Sequence, residues 1–323
     1  MTTTNHPDPV SVVVAVLTFR RPEGIRRILP QLVEQAEALV PPATVLVVDN
    51  DPDGSAAEYV EGWGSRGVRY ANERTPGIAA ARNRALDESA ADDLLVFIDD
   101  DESPLPGWLA SHVDGWRRWR CSAVSGPVVS KFDSTPTEWV RSSGVFEPAV
   151  RPTGTVLAGA SSNNLLLDLN DLRGRGLRFD ERFGLTGGED TRLIHGLIAS
   201  GGTVRWCAEA QVVEYVPASR ATRSWVVKRR LRTSNTWSRV ALDLAGSPLR
   251  RGIKRAELTA RAAVMVIRGS VRVVLGALRR DVGARARATV EIVNAAGMLL
   301  GAYGYISGEY RRPATSAAKQ PAA

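Results

Sequence analysis

The stretch LLVFIDDDES, Leu94–Ser103, decides the fold. Its first five residues are an unbroken apolar run of strand length, which fits a strand buried on both faces of a parallel sheet rather than one with a wet face. Four acidic residues, Asp99 to Glu102, follow at once. Carboxylates this crowded repel one another and require a cation. A hard divalent ion such as Mn2+ or Mg2+, which accepts one or two carboxylates together with phosphate oxygens and water, satisfies them and in turn holds a nucleotide diphosphate. On local grounds alone, a solvated acidic turn explains the run equally well.

Towards the N-terminus the same pattern repeats. SVVVAVLTF (Ser11 to Phe19) is a β-branched run, and Gly24 to Ala38 carry apolar residues at helical spacing until Pro41 and Pro42. TVLVVDN (Thr44 to Asn50) is a second buried strand, closed by the turn DPDG. A helix over Ser55 to Trp63, a strand over Val68 to Tyr70 and a helix over Ile78 to Ser89 precede the opening stretch. Strands alternating with helices predict a doubly wound α/β half with a mostly parallel, Rossmann-like sheet. Ligands of such sheets bind beyond the carboxyl ends of the strands, where Asp49 and Asp99 to Asp101 should converge.

Towards the C-terminus the pattern loosens. A Trp-rich helix over Leu105 to Arg120, a strand over Ala123 to Val129, a loop-rich stretch to Thr155 and a strand region over residues 156–167 are expected. A helix over Gly188 to Ser200 and a strand pair, TVRWCAE and QVVEYVP, complete the body. Two further segments carry chemistry. In TGGEDTRLIHGL, Glu189 and Asp190 open a helix after a glycine pair, where helix capping competes with a catalytic role. In NERTPGIAAARNRAL, Arg74, Arg82 and Asn83 lie near a glycine and a helix start, a place suited to phosphate or ribose, with ordinary helix surface as the alternative.

In this order and spacing, VSVVVAVLTFRRPEG, VLVVDN, NERTPGIAAARN, FIDDD and GGED resemble the family 2 glycosyltransferases of the GT-A fold over about residues 10–217. The resemblance implies a sugar-nucleotide-dependent, metal-dependent, inverting transferase. It assigns Asp49 to the nucleobase and Thr18, Phe19 and Arg20 to the base and ribose pocket. Of the acidic ladder, Asp99 faces the ribose and Asp101 ligates the metal, with Asp100 at the variable position between them. Asp190 becomes the general base and Glu189 shapes acceptor binding. The family's later histidine ligand is replaced here by Glu214, a further candidate ligand. A UDP or dTDP sugar is the expected donor and a glycan or lipid-linked molecule the expected acceptor. Because a metal can neutralise the departing diphosphate, no acid proton is needed on the leaving side. The acceptor hydroxyl then needs only a base.

Composition sets the remaining bounds. The two cysteines, Cys121 and Cys207, lack zinc or CxxC spacing, and the first ten residues have no signal-peptide pattern, so a cytoplasmic protein is expected. His6, His112 and His195 join no triad motif. A single glycine after the first strand argues against a sugar nucleotidyltransferase. Residues 1–217 hold 21 Lys/Arg against 30 Asp/Glu, and residues 218–323 hold 21 against 5. Apolar blocks (AAVMVI, VRVVLGAL, MLLGAYGYI) interleave with the arginines of this basic region. That favours amphipathic helices lying on an anionic membrane, at the inner face of the cell membrane, over a nucleic-acid partner; packing on the body or in a homo-oligomer is the alternative. The expected organisation is a catalytic domain over residues 1–217 (nucleotide half 10–103, acceptor half 104–217), a basic helical region over 218–312 and a disordered tail over 313–323.

Overall fold

Apolar runs of strand length need cover on both faces, and in the computed structural model, which describes residues 10–306, they have it. Strand β1 (Val12–Thr18) is buried throughout. It pairs in parallel with β2 (Thr44–Asp49) on one side, Thr18 opposite Asp49, and with β4 (Leu94–Asp99) on the other, Leu17 opposite Asp99. β3 (Val68–Asn72) continues the parallel set beyond β2. Helix α1 (Pro22–Glu37), the short α2 (Ala57–Glu61) and α3 (Ile78–Glu88) make the crossovers. All four strands therefore end at one edge, which carries Thr18, Asp49 and Asp99. The helix packed nearest that edge approaches closely because Gly24 has no side chain: a Cβ there would lie 2.7 Å from the Asp100 carbonyl oxygen.

The second half extends this sheet and adds a smaller one. After β5 (Glu102–Pro104) come α4 (Trp108–Trp119), β6 (Ala123–Ser125), β7 (Val128–Phe132), α5 (Glu138–Arg141), β8 (Asn164–Asp168) and α6 (Leu169–Gly174). Then follow α7 (Glu189–Ala199), β9 (Val204–Trp206) and β10 (Val212–Val216). The large sheet has the order β3-β2-β1-β4-β8-β6-β9 and the small one β5-β10-β7. Only β8 runs antiparallel to its neighbours in the large sheet. Three expectations need correction. The strand read over Ala123 to Val129 is two strands in different sheets, broken at Gly126-Pro127. The strand region at 156–167 is regular only from Asn164, with Val156 as a lone bridge to Arg205. TVRWCAE and QVVEYVP are not a pair, since β9 joins the large sheet and β10 the small one.

One side chain ties the two sheets together. The Asn164 amide donates to the carbonyls of Pro127 (3.1 Å) and Ala210 (2.7 Å), and its oxygen accepts from the Trp108 indole and the His112 Nε2, each at 2.8 Å. Every group in that network is buried. Burial drives the His112 imidazole down to about 4, so it stays neutral in the fold.

The basic region forms three long helices, α8 (Arg223–Leu244), α9 (Pro248–Leu278) and α10 (Val282–Ala302), capped by Thr222, Ser247 and Asp281. Small residues govern their packing. A Cβ on Gly297 or Gly301 of α10 would lie 2.3 Å from the carbonyl oxygens of Leu231 and Asn235 of α8. On another side of α10, Gly269 of α9 sits against Ile292 and Ala288, and Gly276 against Arg285. Within the uncharged span from Ile292, Ala295, Gly297, Met298, Gly301 and Ala302 are buried in this unit, and among the described residues no helix is long and apolar enough to cross a membrane. The unit also packs on the body: Val226 and Val290 meet Val140 in one buried cluster, and Asp243 pairs with Arg182 and Arg192. The boundary expected at 217/218 falls in the loop after β10, with continuous packing across it. The tail read over 313–323 lies outside the described residues.

Candidate active site

The turn after β4 sorts its four carboxylates by side. Asp100 and Glu102 point inward, 5% and 1% exposed. Asp100 accepts from the Thr18 hydroxyl (2.8 Å) and from Arg21 (2.9 Å); Glu102 accepts from the Asn163 amide (2.8 Å) and the Asp99 backbone N–H (3.2 Å). Burial, then the neighbouring Asp99, raises the Glu102 carboxyl well above the usual range. Asp99 is itself pushed up to about 6, by desolvation first, against the Arg82 charge that favours ionisation. Asp101 is the outermost member and contacts Arg21 (3.3 Å) and Arg220 (3.0 Å).

The same guanidinium nitrogen of Arg220 that touches Asp101 lies 3.4 Å from Glu214 Oε1. Two carboxylates thus converge on one cationic position. Their all-oxygen donor set fits a hard divalent ion that draws its other ligands from phosphate and water. Among the described residues no group of three or more His, Cys, Asp and Glu side chains is placed to hold a metal ion. Glu214 is half-buried, and burial followed by the Asp101 charge raises its carboxyl despite Arg220.

Several sequence candidates prove to be framework. Asp49 is fully buried; its oxygens accept from the backbone N–H of Asp51 (3.0 Å) and Ala56 (2.8 Å) and from the Tyr70 hydroxyl (3.2 Å). It shapes the turn after β2. Burial, then Asp49, drives the Tyr70 phenol up to about 12, so it remains a donor. Thr18 and Asp100 are spent on each other. Asn83 is also committed, because its amide brackets the Phe179 backbone, donating to the carbonyl and accepting from the N–H, each at 3.0 Å. What remains accessible at the strand edge is Phe19, Arg20 and Arg74. Arg20 has a left-handed backbone (φ 54°) and is drawn to Asp51 and Asp53, each at 3.3 Å.

Arg82 is not helix surface. It is buried, forms an ion pair with buried Glu189, and its charge also acts on Asp99. It joins the acidic ladder to the start of α7. A second link lies beside it: Gly77 (φ 123°) abuts Gly184, whose carbonyl accepts from the Ile78 N–H at 3.2 Å. Asp190, next to Glu189, is partly exposed and accepts from the Thr191 hydroxyl at 3.1 Å, on the first turn of α7 where the helix dipole favours a carboxylate. Gly188 before it (φ 106°) packs on α8, where an added Cβ would lie 2.3 Å from Thr236. His195, half-buried and held low by burial, has no partner role in this set.

A cavity of about 560 Å3 opens beside Glu214, lined by Ser130, Phe146, Arg151, Asn163 and Trp206 among others. It occupies the irregular segment in which the sequence shows no motif. The residues to which the sequence assigned no role here are Arg21, Glu102 and Asn163; Arg21 and Glu102 stood within quoted motifs, and Asn163 reaches the site through tertiary packing.

Comparison with known proteins follows from this geometry. The profile described as "Glycosyl transferase family 2" matches residues 13–169. The succinoglycan biosynthesis protein ExoM of Rhizobium meliloti (strain 1021) is 35% identical over 247 residues, covering 74% of this chain and 77% of that protein. Among solved structures, the mannosyltransferase PcManGT from Pyrobaculum calidifontis in complex with GDP-Man and Mn2+ aligns with a TM-score of 0.58 at 19% identity, over 90% of this chain and 86% of that one. GalNAc-T7 with UDP, GalNAc and Mn2+ aligns at 0.52 and 13% identity over 72% of this chain, which spans about half of that structure, 48%. At these identities the structural likeness is one of fold, a GT-A-like α/β domain.

Proposed function

From the premise that the chain belongs to glycosyl transferase family 2, and is a glycosyltransferase, we propose that it moves a sugar from a nucleotide-diphosphate donor to an acceptor hydroxyl with inversion, in the synthesis of a polysaccharide or glycolipid. The observation that carries this reading is Arg82, buried and ion-paired with Glu189 of the ED pair at the start of α7, with its charge also felt by Asp99 at the end of β4. On this reading the base and the diphosphate site act on opposite sides of one anomeric carbon, with Arg82 between them.

Asp190 takes the proton of the acceptor hydroxyl, and Glu189, held by Arg82, fixes the position of that helix start. Asp101, with Asp99 and Glu214, would hold Mn2+ or Mg2+, which when bound neutralises charge on the departing diphosphate. Arg21 and Arg220 lie beside the same carboxylates and supply positive charge to the phosphates. Phe19, Arg20 and Arg74 form the rim for base and ribose, of a UDP or dTDP sugar, while Thr18, Asp49, Asn83 and Asp100 hold that rim in place. The cavity beside Glu214 receives the acceptor, a glycan or lipid-linked glycan. The enzyme works in the cytoplasm, peripherally at the inner face of the cell membrane. The catalytic unit is residues 1–217, with 218–312 as its membrane-facing helical region.

The test is a panel of UDP, dTDP and GDP sugars with and without Mn2+, run on wild type, Asp101→Asn and Asp190→Asn. Asp101→Asn should lose metal-dependent donor binding. Asp190→Asn should keep it and lose turnover by about 10²–10⁴-fold. Normal turnover by Asp190→Asn, or normal metal-dependent binding by Asp101→Asn, overturns the corresponding role.

A further inference from the structure

The outward face of α9 is unusual for a helix of a charged region. Ile253, Val264, Ile267, Val271, Val274 and Leu278 are each between 53% and 76% exposed. At about 100° per residue they fall in one stripe, and the span from Ile253 to Leu278 is about 38 Å long at the helical rise. The packed side of the helix is elsewhere, where Ala262, Gly269 and Gly276 lie buried. Small residues there explain why the large ones face out.

The flanks of the stripe differ. On one side the same spacing places Arg250, Lys254, Arg261, Arg268, Arg272 and Arg279 in a continuous basic column. Glu291 of α10 answers Arg268 and Arg272 within it, and Glu257 of α9 answers Lys254. On the other side stand Thr259, Ala263, Ser270 and Ala277, with the Tyr303 hydroxyl 3.2 Å from Thr259. Tyr303, Tyr305 and Ile306 are exposed at this end, as aromatic residues are at a lipid-water boundary.

Resting on the reading of the chain as a membrane-peripheral enzyme, we propose that this face of α9 lies in the plane of an anionic bilayer, its apolar stripe in the acyl boundary and its basic column against lipid phosphates. Charge complementarity selects this occupant. A second copy of α9 would bring its own basic column to the seam, where the carboxylates of Glu257 and Glu291 are already engaged by Lys254, Arg268 and Arg272 of the same chain, whereas an anionic leaflet neutralises the column along its length.

Co-sedimentation of the full chain with vesicles of phosphatidylcholine alone, or mixed with phosphatidylglycerol, tests this. The variants are Ile267→Gln/Val271→Gln/Val274→Gln and Arg261→Gln/Arg279→Gln, all at exposed positions outside the proposed site. Wild type should bind the anionic vesicles. The apolar triple variant should bind about tenfold or more weakly at every salt concentration, and the arginine variant should lose chiefly the salt-sensitive part. Donor hydrolysis by both variants in solution should match wild type, which separates failure to dock from failure to fold. If wild type binds anionic vesicles and the triple variant binds equally, the face is wrong while the peripheral reading stands. If wild type ignores them at low salt, the peripheral reading fails with it. A wild-type dimer that the triple variant converts to monomer, with vesicle binding unchanged, assigns the face to a second copy and also overturns the proposal.

Discussion

A buried charge is informative because its removal leaves its partner stranded. Arg82 and Glu189 form such a pair, so Glu189→Gln keeps shape and hydrogen bonding but leaves the guanidinium without a full countercharge, at a cost of about 3–5 kcal/mol. A lowered melting temperature is expected together with reduced turnover, because Asp190 is its neighbour on the same helical turn. Wild-type stability in the variant would show that Arg82 belongs chiefly to Asp99. His112 gives a second case, with a sign that can be worked out. Its pKa is about 4 in the fold against about 6.5 when unfolded, so between those values the unfolded chain binds the extra proton and stability falls as pH falls. The full effect is about 3 kcal/mol. Denaturation curves from pH 7 to pH 4 should therefore lose less stability for His112→Gln than for wild type. The buried Glu102 acts in the opposite sense, and the difference between the two proteins removes its contribution.

Elements differ in how far their own residues announce them. β1, β2 and β4 were legible because four or more consecutive apolar residues are tolerable only where both faces are covered, and the carboxylates that end β2 and β4 mark the ligand edge. The small sheet was not legible. β5, β7 and β10 are short segments, the last two partly exposed, brought together from distant parts of the chain, and the break that assigns β6 and β7 to different sheets rests on contacts of Gly126 and Asn164 that no local pattern shows. The internal partners of Thr18, Asp49 and Asn83 were not legible for a related reason: a polar residue has the same local signature whether it faces a ligand or holds a turn or a neighbouring segment. The glycine pair before α7 combines both kinds of constraint. Gly188 needs a left-handed backbone and direct contact with Thr236, so Gly188→Ala should displace the first turn of α7 and cost roughly 1–3 kcal/mol from the backbone alone. Adding Thr236→Ser, which removes the opposing methyl, should restore part of the stability and turnover. No recovery in the double variant would place the whole defect in the backbone.

At the level of the molecule, the acidic body and the basic helices are one packed object, with Asp243 of α8 clamped by Arg182 and Arg192 close to the proposed base. The faces used along the way are consistent in direction. Residues Thr236, Val240 and Asp243 of α8 look towards α7, whereas Leu231, Ser234 and Asn235 look towards α10. On α10, Gly297 and Gly301 meet α8, and Ala288 and Ile292 meet α9. α8 also touches α9 directly, Trp237 and Leu242 packing by Leu258 and Ala262, so two interhelical steps of about 8–10 Å separate α7 from the outer helix and the ED pair stands on the order of 15–20 Å from it. With that outer helix resting on lipid, the stack becomes a gauge of height. An acceptor anchored in the same leaflet must hold its reactive hydroxyl well above the headgroups, which disfavours a lipid carrying one sugar and suits one carrying a longer oligosaccharide. A series of lipid-linked acceptors of increasing length should show turnover rising sharply once the glycan attains that height, while soluble acceptors of the same lengths show no such threshold.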